Sequence, residues 1–471
     1  MRFVDLHPAA VGRGSALWVG RLWLLLLGAV IALFAIAGYA GAFLPVAAAL
    51  LAIAIAGLAP LFTTVCCISW ILLVRPGSNL LQFTFGGFNV TEVDFLILLS
   101  FLSGCQIRHS NELHHRRSRI GDWWPLLAWP VWMIIRALLP PTGDVGFGSA
   151  LVDLRILTAF VLIIPFWLIC SRVGIGSLLK LVCYVAYAAC SIAVGAWVLA
   201  KFGILPRGSF ALVNLAQGLA QDVRPGAEIL IPVLAVLLVS GAAPLLLKSK
   251  VLSFGVLLGE ILVSQTLSIA LAAAVGIGSV LILDWRRISF GRRAIILGLI
   301  SVSAIIALSG SSASSTGDGD TGSRFNLSER VSDSSAQYRV DEADVLYQIF
   351  SKDPTVLAIG TGPGSLVTFN ENLIHEVKNL THSVYNNVIL KTGLVGLFLF
   401  VWGWIALSRR LFVINNRAVR PLVGCILSIA MLSVTVPFAS TVSGLAGLLC
   451  LGTLVVGHVV QSRSPEEVAV A

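Results

Sequence analysis

The chain has little charge and few long polar stretches. Asp, Glu, Lys and Arg make up 12% of its 471 residues, against 57% hydrophobic residues. A soluble domain ordinarily carries about 25% charged residues, and the mean hydropathy here is +0.93. So little polar surface cannot coat a water-soluble particle of 50.0 kDa. Soluble enzymes, secreted domains and disordered scaffolds are excluded together. Cysteine-pair signals are missing as well. Cys66, Cys67, Cys105, Cys170, Cys183, Cys190, Cys425 and Cys450 lie in or beside apolar runs, with no C-x-x-C spacing. They read as small core residues, not as metal ligands or a disulfide framework. In such a chain a formal charge of +9 points to membrane orientation and not to nucleic acid.

Apolar length is what the chain does have. A helix needs about 20 apolar residues to cross a bilayer, and runs near that length occur at 22–42, 43–59, 91–106, 122–139, 150–170, 177–200, 227–247, 294–309, 384–407, 420–438 and 442–460. A shorter run at 61–74 is also counted as a crossing. The stretch 251–283 is too long for one span and reads as a hairpin of two short helices. The expected fold is therefore an all-α integral membrane protein with about 12–14 transmembrane helices and one large structured outer loop. Three regions follow: an N-terminal transmembrane bundle at 1–309 with about 11 crossings, the loop at 310–383, and C-terminal helices with a cytoplasmic tail at 384–471. The apolar run after an N-region of about 20 residues is taken as a retained first helix, since a cleavable signal has a shorter N-region.

The cations fix the orientation. With cytoplasmic termini, the inward connections collect 20 of the 32 Lys and Arg residues, as the positive-inside rule requires. The loop 310–383 holds ten acids and five bases, which leaves +14 on the rest of the chain. Its first part, 310–322, is rich in Ser, Gly and Asp and reads as a tether. From Gln337 to Phe350 apolar residues fall at helical spacing, predicting an amphipathic helix.

Several arginines lie where topology does not ask for them: Arg136 and Arg155 in apolar runs, Arg207 and Arg224 in the outer connection 202–226, and Arg339 on the amphipathic helix. Guanidinium groups near lipid are costly and are commonly paired or functional, and their planar fork suits phosphate. Snorkelling or local pairing is the plainer alternative. Asp153 and Arg155 are two apart on a helix and would not face each other. Gly360-Thr-Gly-Pro-Gly364 faintly resembles a nucleotide loop but lacks its strand–helix context, so a tight turn is expected. Asp318–Glu329 has acids at positions 1, 3 and 12 of a calcium loop but Ser323 where glycine is required.

Four elements in order carry a resemblance: Arg339, the stretch Asp353-Pro-Thr-Val-Leu-Ala-Ile-Gly-Thr-Gly-Pro-Gly364, then His382 with Tyr385, then Gly393-Leu-Val-Gly396. In these the chain resembles the O-antigen ligase and O-antigen polymerase superfamily of bacterial envelope glycosyltransferases. Arg207-Gly-Ser-Phe-Ala-Leu-Val-Asn214 loosely matches an earlier family element. Ile269 stands at the hairpin tip where many relatives carry arginine, a departure from the family pattern.

The resemblance implies a GT-C-like architecture in the inner (cytoplasmic) membrane, with the large loop outside. It implies a polyprenyl-diphosphate-linked oligosaccharide donor and a glycan or lipid acceptor, with no cofactor and no metal. Arg207 and Arg339, supported by Arg224 and Arg155, would hold the diphosphate. His382 would accept the proton of an attacking sugar hydroxyl, its imidazole ordinarily titrating at about 6.5. Tyr385 or Asn386 would orient that ring, and Gly362 and Gly364 would shape the turn. The expected partners are the lipid bilayer and polysaccharide assembly proteins, with no nucleic acid. Polymerase is slightly preferred over ligase because the tip arginine is absent.

The reading from another class is a polysaccharide exporter or flippase. That would call for an internal repeat and midplane charges. No convincing repeat is present, and the charges nearest that description are Glu260 and Lys391.

Overall fold

The computed structural model of the protein describes residues 59–73, 82–85, 88–107, 119–140, 147–204, 208–209, 213–215, 223–225, 227–264, 267–284, 334–365, 367–371, 374–378, 383–414, 419–436 and 441–462. The described body is helical. In chain order it comprises α1 (Pro60–Leu73), α2 (Glu92–Gln106), α3 (Ile120–Leu138), α4 (Phe147–Arg155), α5 (Ile163–Arg172), α6 (Ile175–Lys201), α7 (Leu230–Ser240), α8 (Lys250–Ser264), α9 (Leu267–Asp284), α10 (Ser334–Lys352), α11 (Pro354–Ile359), α12 (Val384–Val413), α13 (Arg420–Thr435) and α14 (Val442–Ser462). A 3-10 segment, Ile156–Leu162, joins α4 to α5. Among the described residues, four helical stretches are long and apolar enough to cross a membrane: Asp153–Arg172, Ile175–Lys201, Val384–Val413 and Val442–Ser462. The protein is thus an α-helical membrane protein.

The expected helical fold carries one addition. Three small antiparallel sheets decorate the connections: β1 (Gln82–Phe85) with β2 (Phe88–Thr91), β3 (Gly208–Ser209) with β4 (Val213–Leu215) and β5 (Val223–Pro225), and β6 (Val367–Glu371) with β7 (Ile374–Lys378). None has a strand longer than five residues, so no apolar run announces them. Helical periodicity dominates the composition and hides such short pairings. The expected spans 22–42, 43–59 and 294–309 lie outside the described residues, apart from Ala59.

Local chemistry sets the helix ends. Asp94 closes α2 by accepting from the Thr91 amide at 2.9 Å, and Asp122 does the same for α3 from the Arg119 amide at 2.8 Å. The α7 helix stops at Gly241, whose φ of 78° permits the left-handed cap. Asp353 caps α11, accepting from the Thr355 amide at 2.8 Å, with Pro354 at the first helical position.

The core runs along α14. In its apolar window 89% of residues are buried, against 44–56% for the other three spans. Leu445, Ala446, Cys450, Thr453, Val455 and Val456 are all fully covered. Around it α9 and α13 approach closely: a Cβ on Gly276 would stand 2.8 Å from the Gly424 carbonyl, and Ser428 donates across to the Ala272 carbonyl at 2.7 Å. Small residues of this kind drive helix association where lipid offers no hydrophobic contrast. Large apolar side chains remain exposed on the outside, including Phe398, Val413, Val251 and Ile282, as a lipid-facing surface requires.

Antiparallel packing of α3 against α12 positions the site. Arg410 reaches the Gly121 carbonyl at 2.9 Å and the Asp122 carbonyl at 3.1 Å at one end. Gly403 lets the Pro125 carbonyl approach, and Trp129 meets Phe400 edge to face at 5.5 Å. The C-terminal end of α3 therefore lies beside the N-terminal part of α12.

Candidate functional site

The α12 helix breaks at Gly393, whose φ of 69° and ψ of −171° are not helical. A non-helical turn inside an apolar helix is tolerated only where protein satisfies the freed backbone groups. Here the Gly-rich turn supplies the donors. The Thr361 amide and hydroxyl both donate to the Leu390 carbonyl at 2.8 Å, and the Gly362 amide donates to the Lys391 carbonyl at 3.1 Å. Trp132 donates its indole N–H to the Thr392 carbonyl at 2.9 Å. The segment Val384–Thr392 is consequently a separate half-helix, and the turn 360–364 is its C-terminal cap.

Close approach explains the glycines. Gly360 and Gly393 face each other so tightly that a Cβ on Gly360 would stand 2.5 Å from the Lys391 carbonyl carbon, and one on Gly393 would collide with the Ala358 carbonyl. Gly364, with a φ of 82°, rests against the backbone of Ala150. Each of these positions refuses a side chain on both conformational and steric grounds.

Arg136 holds the other side of the turn. It is 1% exposed, and its Nε donates to the Ile359 carbonyl at 3.0 Å. One terminal nitrogen donates to the Gly360 carbonyl at 3.0 Å and the other to the Pro140 carbonyl at 3.0 Å. The guanidinium stacks on Gly362, where an added Cβ would lie 3.5 Å from its carbon. This outward arginine of the sequence binds backbone.

Two ion pairs flank the turn. Asp153, fully buried, accepts from the Lys391 ammonium through Oδ1 and from the Gly364 amide through Oδ2 at 2.5 Å. Lys391 is 3% exposed. Two residues on, Arg155 donates its Nε to Asp94 Oδ1 at 2.9 Å, closes a second contact with the same carboxylate, and reaches the Thr91 hydroxyl at 2.5 Å. Asp153 and Arg155 thus have separate partners, as their spacing requires.

The residues expected to carry chemistry are distributed as follows. His382 and Arg207 lie outside the described residues. Arg339 is in the first half of α10. Arg224 is in β5 at the register position opposite Asn214 of β4, the asparagine of the earlier family-like element. Arg155 engages Asp94 and Thr91, as above. Tyr385 donates its hydroxyl to the Ala430 carbonyl at 3.0 Å, and Asn386 donates to Glu342 of α10 at 3.2 Å. The last contact, with Leu346 packed on Leu390, docks the Arg339 helix onto the half-helix. Gly362 and Gly364 are buried in the turn. Ile269 is fully buried in α9.

Beside Lys391, between Asn387, Thr392, Trp129 and Met133, lies a cavity of about 20 Å³. That is room for a single water. Sequence reasoning marked Lys391 only as a membrane charge and did not find Asp153, Glu342 or Trp132 as participants. For Asp153 and Lys391 the available signal was a charge interrupting an apolar run.

No curated protein matches the chain. Residues 251–401, a segment that includes α10, the turn and the half-helix, match the family model described as O-antigen ligase, in keeping with the O-antigen ligase/polymerase superfamily.

Proposed function

We propose that the protein is a membrane glycosyltransferase that transfers or polymerises polyprenyl-diphosphate-linked saccharide at the outer face of the cytoplasmic membrane. One observation carries the reading. The matched segment 251–401 contains Arg339, the Gly-rich turn and His382 in order, and the turn caps the half-helix that starts two residues after His382.

In this reading an acceptor hydroxyl attacks the anomeric carbon of the donor sugar. The new C–O bond forms as the bond to the diphosphate breaks, and polyprenyl diphosphate leaves with the electron pair. His382 takes the hydroxyl proton. Arg207 and Arg339, with Arg224, hold the diphosphate and offset its growing charge, so the step is written without a metal ion. Arg155 contributes to the frame through Asp94. Tyr385 and Asn386 fix the half-helix to α13 and α10, so the ring-orienting role expected of them is carried out through the helix.

Chain extension is preferred over transfer to a different acceptor. The basic hairpin-tip contact is absent, and Ile269 in its place is buried. The inner-membrane location, cytoplasmic termini and outer loop belong to the same proposal.

His382→Ala tests it. The variant is expected to reach the membrane at the level of the wild type while lipid-linked oligosaccharide extension falls about 10²- to 10⁴-fold. Extension at near wild-type rate by the purified variant would remove His382 from the mechanism. Surface polysaccharide in a deletion strain separates the activities: loss of long chains marks a polymerase, and loss of glycan from one acceptor with intact lipid-linked chains marks a ligase. Movement of lipid-linked glycan without change in its length would instead mark an exporter.

A further inference from the structure

We infer that Asp153 is a positioning residue for the reaction and acts through the Gly360–Gly364 turn. The inference rests on the glycosyltransferase reading for its catalytic consequence and on geometry alone for its mechanical part.

Asp153 is fully buried and both of its oxygens are engaged: Oδ1 with Lys391 in the half-helix, Oδ2 with the Gly364 amide at the end of the turn. It stands in α4, at the first position of the apolar stretch 153–172. One carboxylate therefore joins three pieces of chain far apart in sequence. Of its two interactions, the bond to Gly364 is the one that fixes geometry. The turn is held to the half-helix by Thr361 and Gly362 and to α3 by Arg136, whereas its last residue is tied down by Asp153. Remove that acceptor and the Gly364 amide is buried without it, while the turn gains freedom exactly where it leaves the half-helix.

Lys391 has a different job. An unpaired carboxylate at this depth is costly, and Lys391 neutralises it. A cation at the C-terminal end of the half-helix also suits the helix dipole. Charge balance and hydrogen-bond acceptance can therefore be separated by mutation. Asp153→Asn combined with Lys391→Met removes both charges but leaves an amide oxygen for Gly364. Asp153→Ala combined with Lys391→Met removes both charges and the acceptor. Neither pair leaves one half of the Asp153–Lys391 ion pair without the other, so both are expected to fold and insert.

The experiment compares these two double variants in membranes supplied with the polyprenyl-diphosphate-linked saccharide donor, alongside hydrogen exchange of the purified proteins. The Asn/Met variant is expected to keep turnover within about threefold of wild type, with the Ala/Met variant about 10²-fold lower in kcat and little changed in KM, since misplacement of a reacting group by about 1 Å costs that much. Peptides spanning 360–364 and 384–392 should exchange faster in Ala/Met than in Asn/Met. Equal exchange in the two variants overturns the mechanical coupling, whatever the activity. Faster exchange with equal kcat, or a loss confined to KM, reduces Asp153 to a structural residue. A wild-type protein that turns over no lipid-linked saccharide overturns the glycosyltransferase reading, and with it the catalytic part of the inference, while the exchange comparison still decides the coupling.

Discussion

Replacing Arg136 by lysine keeps a cation beside the Gly360 carbonyl but loses the fork that reaches Ile359, Gly360 and Pro140 together. A point charge cannot serve three carbonyls held in a plane. Arg136→Lys should lower stability by about 1–3 kcal/mol, the cost of leaving buried acceptors unmet, measured as a fall in the thermal midpoint in detergent. Proton acceptance by His382 carries a pH signature. A protonated imidazole cannot act as base, so turnover should fall on acidification; a rate flat from pH 5 to 8 would argue against that role. Legibility at this scale was uneven. The motif residues could be named because they follow one another in a fixed order within 339–396, whereas Asp153 and Lys391 stand 238 positions apart. No spacing rule couples such a pair. Each betrayed itself only as a charge in an apolar run.

The half-helix is the element on which the site turns. Gly393→Ala would place a Cβ against the Ala358 carbonyl and favour a continuous helix through the break. Straightening would strip the Leu390, Lys391 and Thr392 carbonyls from Thr361, Gly362 and Trp132. The expected outcome is loss of glycan extension together with a drop in stability of about 1–3 kcal/mol from backbone strain, read by activity and thermal melting. Full activity in Gly393→Ala would mean that the break is incidental. The helices themselves were legible. Periodicity from Gln337 to Phe350 became α10, Ser334–Lys352, and the long run 251–283 is divided between α8 and α9. The three sheets were not, because strands of two to five residues in polar connections carry no period to read.

At the scale of the whole molecule, orientation is the open quantity, and charge placement predicts it. Asp344 on α10 and Lys250 at the start of α8 are both exposed. In intact cells, Asp344→Cys should take a membrane-impermeant maleimide, and Lys250→Cys should take it only after permeabilisation. Each is compared with the unaltered chain, whose cysteines are free. The reverse pattern would invert the topology and place the large loop on the cytoplasmic side. Composition alone was enough to establish a membrane protein, since no other solvent accepts so much apolar surface.

The α14 helix has a consequence for how the protein is made. It is the last described helix in chain order and the most enclosed of the four long apolar spans, so the ribosome releases a central part of the bundle after its walls. Until α14 arrives, the helices that line its groove must wait in the bilayer with lipid in its place, as separately inserted spans can. Assembly of the bundle is thereby deferred until α14 has been made. A chain interrupted before Val442 should insert yet unfold at a lower temperature in detergent than the full chain, leaving partly made copies without a finished site.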